Sequence, residues 1–176
     1  MATPWRARTR AISASRAVWY GRWTRADGPY ICTNGPAFSP DFRTLYHTDT
    51  VGREIHAFDL AADGTPSRKR RFIRFGDDDG YPDGMTVDAE GHLWVCHWGG
   101  WRLTRFTPEG RAERTIRLPV AQVTSCAFGG PELRTLFVTT AAIGLAPEDL
   151  ARQPLAGGLF AVRPGLSGFA APLYSG

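Results

Sequence analysis

The stretch Gly80-Tyr81-Pro82-Asp83-Gly84-Met85-Thr86-Val87-Asp88-Ala89-Glu90-Gly91-His92-Leu93-Trp94-Val95 decides how this chain folds. It divides into a short apolar strand, an acidic glycine-bearing turn, and a second strand of aromatic and β-branched residues. Asp and Gly supply turn chemistry, while Val, Leu and Trp suit a pleated, half-buried surface. The same grammar recurs at Ala37-Phe38-Ser39-Pro40-Asp41-Phe42-Arg43-Thr44-Leu45-Tyr46-His47-Thr48-Asp49 and again at Ala127-Phe128-Gly129-Gly130-Pro131-Glu132-Leu133-Arg134-Thr135-Leu136-Phe137-Val138-Thr139-Thr140. The copies are separated by roughly 40–50 residues, the length of one β-propeller blade. Further strand-like runs lie between them, at Glu54–Leu60, 70–75, Arg102–Phe106, 115–118 and 158–162. Four strands per copy predict an all-β chain holding about three four-stranded antiparallel blades. One helical turn is predicted over 148–153.

Composition agrees with this reading. A hydrophobic content of 43% with 22% charged residues is that of a globular domain with a real core. Twenty Gly and thirteen Pro imply many turns and therefore short strands. No apolar run reaches about 18 residues, so no transmembrane helix is expected. Cys32, Cys96 and Cys126 are odd in number and contain no C-x-x-C pair, which argues against a zinc motif or a disulfide framework. They are expected to be small buried thiols in a reducing cytoplasm, and the chain is expected to be cytoplasmic.

The net charge of +4 is unevenly placed. Residues 1–30 carry Arg6, Arg8, Arg10, Arg16, Arg22 and Arg25 against the single acid Asp27, and the remainder is close to neutral. Nucleic-acid binding would need basic residues interleaved with aromatics on a folded face, and residues 31–176 offer no such pattern. Neither a nucleic-acid partner nor a membrane partner is expected. Residues 1–30 are expected to be a poorly ordered basic segment, with a transit-like leader as the alternative.

Two short devices carry the chemistry. Asp83 is wedged between Pro82, which fixes its own φ, and Gly84, which permits a sharp exit. That framing predicts a defined loop geometry, as a carboxylate gripping a metal requires. Asn34 stands before Gly35-Pro36 in a similar device. The bland readings are that Asn34 opens a turn and that the run Asp77-Asp78-Asp79-Gly80 is a solvated loop. That run lacks the alternating ligands and terminal Glu of an EF-hand. The histidines are expected to serve packing and turns; His92 and His97 are expected on opposite faces of one strand. Ser39 and Ser125 lack a G-x-S-x-G setting for a nucleophile.

From about Asn34 to the end, the chain resembles the C-terminal half of the SMP-30/gluconolactonase/LRE family. The resemblance rests on Asn34-Gly35-Pro36-Ala37-Phe38-Ser39-Pro40-Asp41, Pro82-Asp83-Gly84-Met85, Asp88-Ala89-Glu90-Gly91, Leu93-Trp94-Val95, Thr124-Ser125-Cys126-Ala127-Phe128-Gly129-Gly130 and Ala156-Gly157-Gly158-Leu159-Phe160, in that order. It implies a partial six-bladed β-propeller over 31–176. It also implies a divalent cation (Ca²⁺, Mg²⁺, Mn²⁺ or Zn²⁺) with Asn34 and Asp83 as ligands, and Asp83 as the general base that opens a sugar lactone. The family's further glutamate ligand and its substrate-positioning Arg and Asn come from the other half and have no counterpart in this chain. The alternatives are a catalytically inactive propeller remnant and a calcium-binding or interaction module. Self-association through open blade edges is expected.

Overall fold

The computed structural model describes residues 25–171, so most of the basic segment 1–30 lies outside the described residues. Eleven strands form three antiparallel sheets in chain order. The first sheet holds β1 (Thr33–Phe38), β2 (Thr44–Asp49), β3 (Glu54–Leu60) and β4 (Pro66–Arg74), each paired with the next. The second repeats that meander with β5 (Tyr81–Val87), β6 (Leu93–Trp98), β7 (Arg102–Phe106) and β8 (Ala112–Arg117). The third has β9 (Val123–Gly129), β10 (Thr135–Thr140) and β11 (Leu159–Val162). A one-turn helix, α1 (Pro147–Arg152), lies between β10 and β11, close to the predicted turn.

The expectation of four strands in every blade is corrected here: among the described residues the third sheet has three. Beyond β11 the backbone leaves the sheet and hydrogen-bonds to its neighbours. The amide of Ala89 donates to Ser167, the amide of Gly168 donates to Leu133, and Arg114 reaches the carbonyl of Pro164. The outer strands also start earlier than expected, at Pro66 and Ala112. Their exposed, charge-rich sequences hide the apolar alternation on which strand recognition depends. Such charges suit an outermost strand, where Lys and Arg discourage edge-to-edge pairing.

Period-two alternation builds the core. On β6, Leu93 and Val95 face the first sheet and pack with Tyr46, Ile55, Ile73, Phe75, Met85 and Phe106. Trp94 and Cys96 point the other way, into a second core with Leu103, Val120, Val123, Cys126, Leu136 and Val138. The middle sheet is thus buried on both faces. Cys96 and Cys126 are buried thiols as expected, whereas Cys32 is exposed at the foot of β1, which corrects that expectation.

Arg105 and Asp88 tie the middle sheet together. Asp88 is fully buried. Its Oδ1 accepts the amides of Glu90 and His92 at 3.0 Å each and so closes the β5–β6 turn. Its Oδ2 accepts Trp94 Nε1 at 2.9 Å and Arg105 Nε at 2.7 Å. The same guanidinium reaches Glu90 and Glu113, so its charge is fully matched although it is buried. In the first sheet Ser39 takes the place of Asp88, its hydroxyl accepting the Thr44 amide at 2.9 Å. Replacing Asp88 with Ala strips four donors of their acceptor and leaves Arg105 with only its rim partners. We expect a loss of about 3–5 kcal/mol in urea unfolding, with Ser39→Ala costing about 1 kcal/mol.

Candidate metal centre

The first strands of the three sheets, β1, β5 and β9, stand side by side, β1 against β5 and β5 against β9. Asn34 and Asp83 lie on the first two. The structure corrects the expectation that they sit in loops: both are strand residues, Asp83 within a bulge and Asn34 just before one. Pairing of β1 with β2 breaks between Asn34 and Ala37, and pairing of β5 with β6 breaks between Pro82 and Met85. A bulge re-aims a side chain out of the ladder and is over-represented next to functional sites. On β9 the corresponding irregularity falls between Val123 and Ser125 and leaves Thr124 unpaired.

Each bulge glycine permits close approach of the next first strand. A Cβ on Gly35 would stand 2.6 Å from Met85 Cε, and Gly35 has φ +88°. A Cβ on Gly84 would stand 2.4 Å from Ser125 Oγ and 2.8 Å from Ser125 Cα. Gly84 is therefore fixed by packing against the backbone of the neighbouring sheet, and Gly35 by its left-handed φ, since the Met85 methyl can yield.

Asp83 is a partly buried carboxylate. Among the described residues no Lys, Arg or His forms an ion pair with it. Burial pushes its pKa up to about 6, partly offset by the amide of Gly84. Its backbone carbonyl accepts a long hydrogen bond, 3.5 Å, from Thr48 Oγ1, and Thr48 is the residue paired with Asn34. Asn34 donates its Nδ2 to Thr50 Oγ1 at 2.8 Å and takes a weak contact with Cys32 Sγ at 3.8 Å. Its Oδ1 accepts no hydrogen bond among the described residues. An uncompensated carboxylate and a free amide oxygen on neighbouring strands are hard oxygen donors lacking positive charge, and they fit a divalent cation.

A second acidic group fits a cation less well. Asp88, Glu90 and His92 offer ligand atoms within 4.8 Å of one another. Arg105 already stands among them, bonded to Asp88 and Glu90, and His92 Nε2 faces Glu113 at 3.6 Å. A permanent guanidinium charge in their midst leaves no electrostatic need for a metal.

The remaining expectations divide. Asp79, which belongs to the run expected to be solvated, is tied in: its side chain accepts the Gly76 amide at 2.7 Å and Arg102 at 2.5 Å. His97 donates Nδ1–H to the Asp79 carbonyl at 2.7 Å, and burial lowers its pKa to about 4. His92 lies in the turn before β6 and not on the strand, so the expected alternation with His97 does not apply. His47 and His56 pair across β2 and β3 beneath the Tyr30 ring. The supporting residues Thr48, Thr50 and Arg53 were missed by the sequence reading, because no motif marks a hydroxyl or guanidinium that acts across strands.

Antiparallel meanders with their first strands side by side define the chain as part of a β-propeller. Residues 9–142 match the SMP-30/Gluconolactonase/LRE-like region, and the chain belongs to that family. The match begins inside the basic segment. The chain is 37% identical to regucalcin of Xenopus laevis over 147 residues, covering 82% of this chain and 49% of the relative. It is 37% identical to 6-deoxy-6-sulfogluconolactonase of Pseudomonas putida over 150 residues, covering 85% and 52%. The crystal structure of regucalcin from Agrobacterium tumefaciens, a calcium-binding protein, superposes with a TM-score of 0.75 at 33% identity, over 81% of this chain and 49% of that one. The chain thus spans about half the length of the relatives it matches.

Two outcomes follow from the geometry. Gly84→Ala should cost about 1–3 kcal/mol in thermal unfolding, because the new methyl meets backbone that cannot yield. Asp83→Asn should do the opposite at neutral pH. The folded pKa of about 6 exceeds the ordinary 3.8, so the native state holds the proton more tightly. Stability contributed by that proton is full below about pH 4 and is lost as pH rises through 6. Asp83→Asn should therefore stabilise by about 1–2 kcal/mol at pH 7.5 and change little at pH 4, as read by urea melts at both pH values.

Proposed function

We propose that this chain carries two ligands, Asn34 and Asp83, of the cation centre of a sugar-lactone hydrolase. The observation that carries the reading is the partly buried, uncompensated carboxylate of Asp83, with Asn34 on the adjoining strand and its amide oxygen accepting no hydrogen bond among the described residues. The names of the relatives, gluconolactonase chemistry among them, support the lactone class.

A bound divalent cation supplies Lewis-acid polarisation of a lactone carbonyl and acidifies water. Asn34 contributes a neutral oxygen whose direction is fixed by its hydrogen bond to Thr50. Asp83 contributes the negative charge. Ionised at neutral pH, it is also placed to take a proton from the attacking water. The opened product is a sugar acid, formed by adding one water across the acyl C–O bond. Thr124 and Ser125, at the matching place on β9, supply hydroxyls on the Asp83 side of the same row of strands.

Two ligands hold a hard cation weakly, so further donors must come from elsewhere in a closed ring. The outer face of the third sheet exposes Phe137 and Leu159 at 37% and 67%. That apolar surface favours cover by another blade-like sheet, including one from a second copy of the chain.

A pH-stat assay over a panel of sugar lactones, with added Ca²⁺, Mn²⁺ or Zn²⁺ and with chelator, tests the proposal. Turnover should need the cation and should fall about 100-fold or more in Asp83→Asn. Turnover indifferent to both chelator and Asp83→Asn overturns it. No turnover with any cation assigns the chain to the catalytically silent reading.

A further inference from the structure

Four residues, Thr50-Val51-Gly52-Arg53, link β2 to β3 and touch both arms of the candidate centre. Thr50 Oγ1 accepts Asn34 Nδ2 at 2.8 Å. The Thr50 amide donates to the carbonyl of Cys32 at 3.1 Å, which fixes the hydroxyl relative to the backbone that leads into Asn34. Arg53 reaches in the other direction. Its guanidinium donates to the carbonyls of Gly80 at 2.7 Å, Gly76 at 3.0 Å and Asp77 at 3.4 Å. It also lies 4.0 Å over the ring of Tyr81. These residues lead directly into Pro82 and Asp83.

The turn itself is firmly made. The Gly52 amide donates to Asp49 Oδ1 at 2.9 Å and the Arg53 amide to the carbonyl of Thr50 at 3.2 Å. The carbonyl of Arg53 accepts the amide of Phe75 at 3.0 Å, which binds the turn to the end of β4. Arg53 has φ +57°, a left-handed conformation that a non-glycine residue adopts only under constraint.

We infer that the Thr50–Arg53 turn is the positioning element of the cation centre, setting both of its ligands from one place. The inference rests on the cation reading above. An Asn amide has a donor end and an acceptor end, and only the acceptor serves a cation. With Nδ2 engaged by Thr50, the amide is held so that Oδ1 is turned to the opposite side. The Asp83 side chain has little holding of its own beyond the Gly84 amide, so its place is set by the backbone that delivers it. Arg53 anchors that backbone through three carbonyls and the Tyr81 ring. Outer partners of this kind typically contribute about 10–100-fold to metal affinity without touching the ion.

The test titrates Mn²⁺ into the full 176-residue chain, reads free ion by EPR, and follows the Asn34 side-chain amide by ¹⁵N NMR. Thr50→Val and Arg53→Met should each weaken Mn²⁺ binding about 10-fold or more, whereas Thr50→Ser, which keeps the hydroxyl, should stay within about two-fold of the wild type. The Asn34 amide resonances should shift in Thr50→Val and stay in place in Arg53→Met. Far-UV CD and thermal melts establish that each variant is folded. If folded Thr50→Val and Arg53→Met bind Mn²⁺ like the wild type, the inference is overturned while the cation reading stands. Because two ligands hold the ion weakly, the titration runs to about 1 mM Mn²⁺ and beyond; if the wild type takes up none over that range, the cation reading fails for this chain. The orientation of Asn34 is then decided by NMR alone, and unmoved resonances in Thr50→Val overturn that too.

Discussion

Close approach of neighbouring first strands is the constraint on which the rest depends. Gly84 leaves no room for a methyl against the backbone of Ser125, and Gly35, with φ +88°, lies against the end of the Met85 side chain. These contacts bring β1, β5 and β9 into one row; the bulge on β5 turns Asp83 out of its ladder, and the bulge on β1 falls at Gly35-Pro36, just after Asn34, which stays paired with Thr48. At Asp83, packing between sheets and presentation of the candidate ligand are thus one structural event. A blade could keep its four strands and its core with ordinary pairing at these positions. It would then hold Asp83 in register within its ladder.

Asp83 and Asp88 lie five residues apart and show how environment separates like groups. Asp88 is fully buried and receives a guanidinium, an indole N–H and two amides, so its charge is wholly matched. Asp83 is less buried and receives one amide. The first carboxylate closes a turn and braces a sheet. The second is raised in pKa and destabilises the fold when ionised, as a partly buried carboxylate without a cationic partner must. Proximity of acidic atoms alone would have favoured Asp88, Glu90 and His92, but counting the charge of Arg105 reverses that choice.

Much of this was legible in the sequence because it repeats. The strand–turn–strand unit around Asp88 and its copies near Ser39 and Gly129 gave the blades, and Pro82-Asp83-Gly84 with Asn34-Gly35-Pro36 gave the two candidate ligands. What escaped notice depends on partners distant along the chain. Arg105 meets Asp88 from seventeen residues away, and Thr50 meets Asn34 from sixteen. Nothing in the local pattern distinguishes these residues from surface Arg and Thr. The start of β4 was hidden for a different reason: Pro66 to Arg71 is mostly exposed, so its strand form comes from pairing with β3 and not from an apolar face. Cys32 was misplaced because a thiol's usual burial says little about a residue at the foot of an edge-facing strand.

The division of labour between rigid and uncompensated parts follows from these contacts. Arg53 binds three carbonyls, stacks on Tyr81 and holds a left-handed backbone conformation, all to fix a segment with little apolar packing of its own. The Gly76–Gly80 segment is further held by Asp79, through Arg102 and His97. So many polar tethers on one short connection would be redundant for joining two strands, since β4 and β5 are already anchored in separate sheets. They are intelligible if the residue that follows must be placed accurately while remaining short of partners itself. A carboxylate can be kept uncompensated only where its surroundings cannot rearrange to neutralise it. The rigid approach through Arg53, Asp79 and Tyr81 supplies that condition for Asp83.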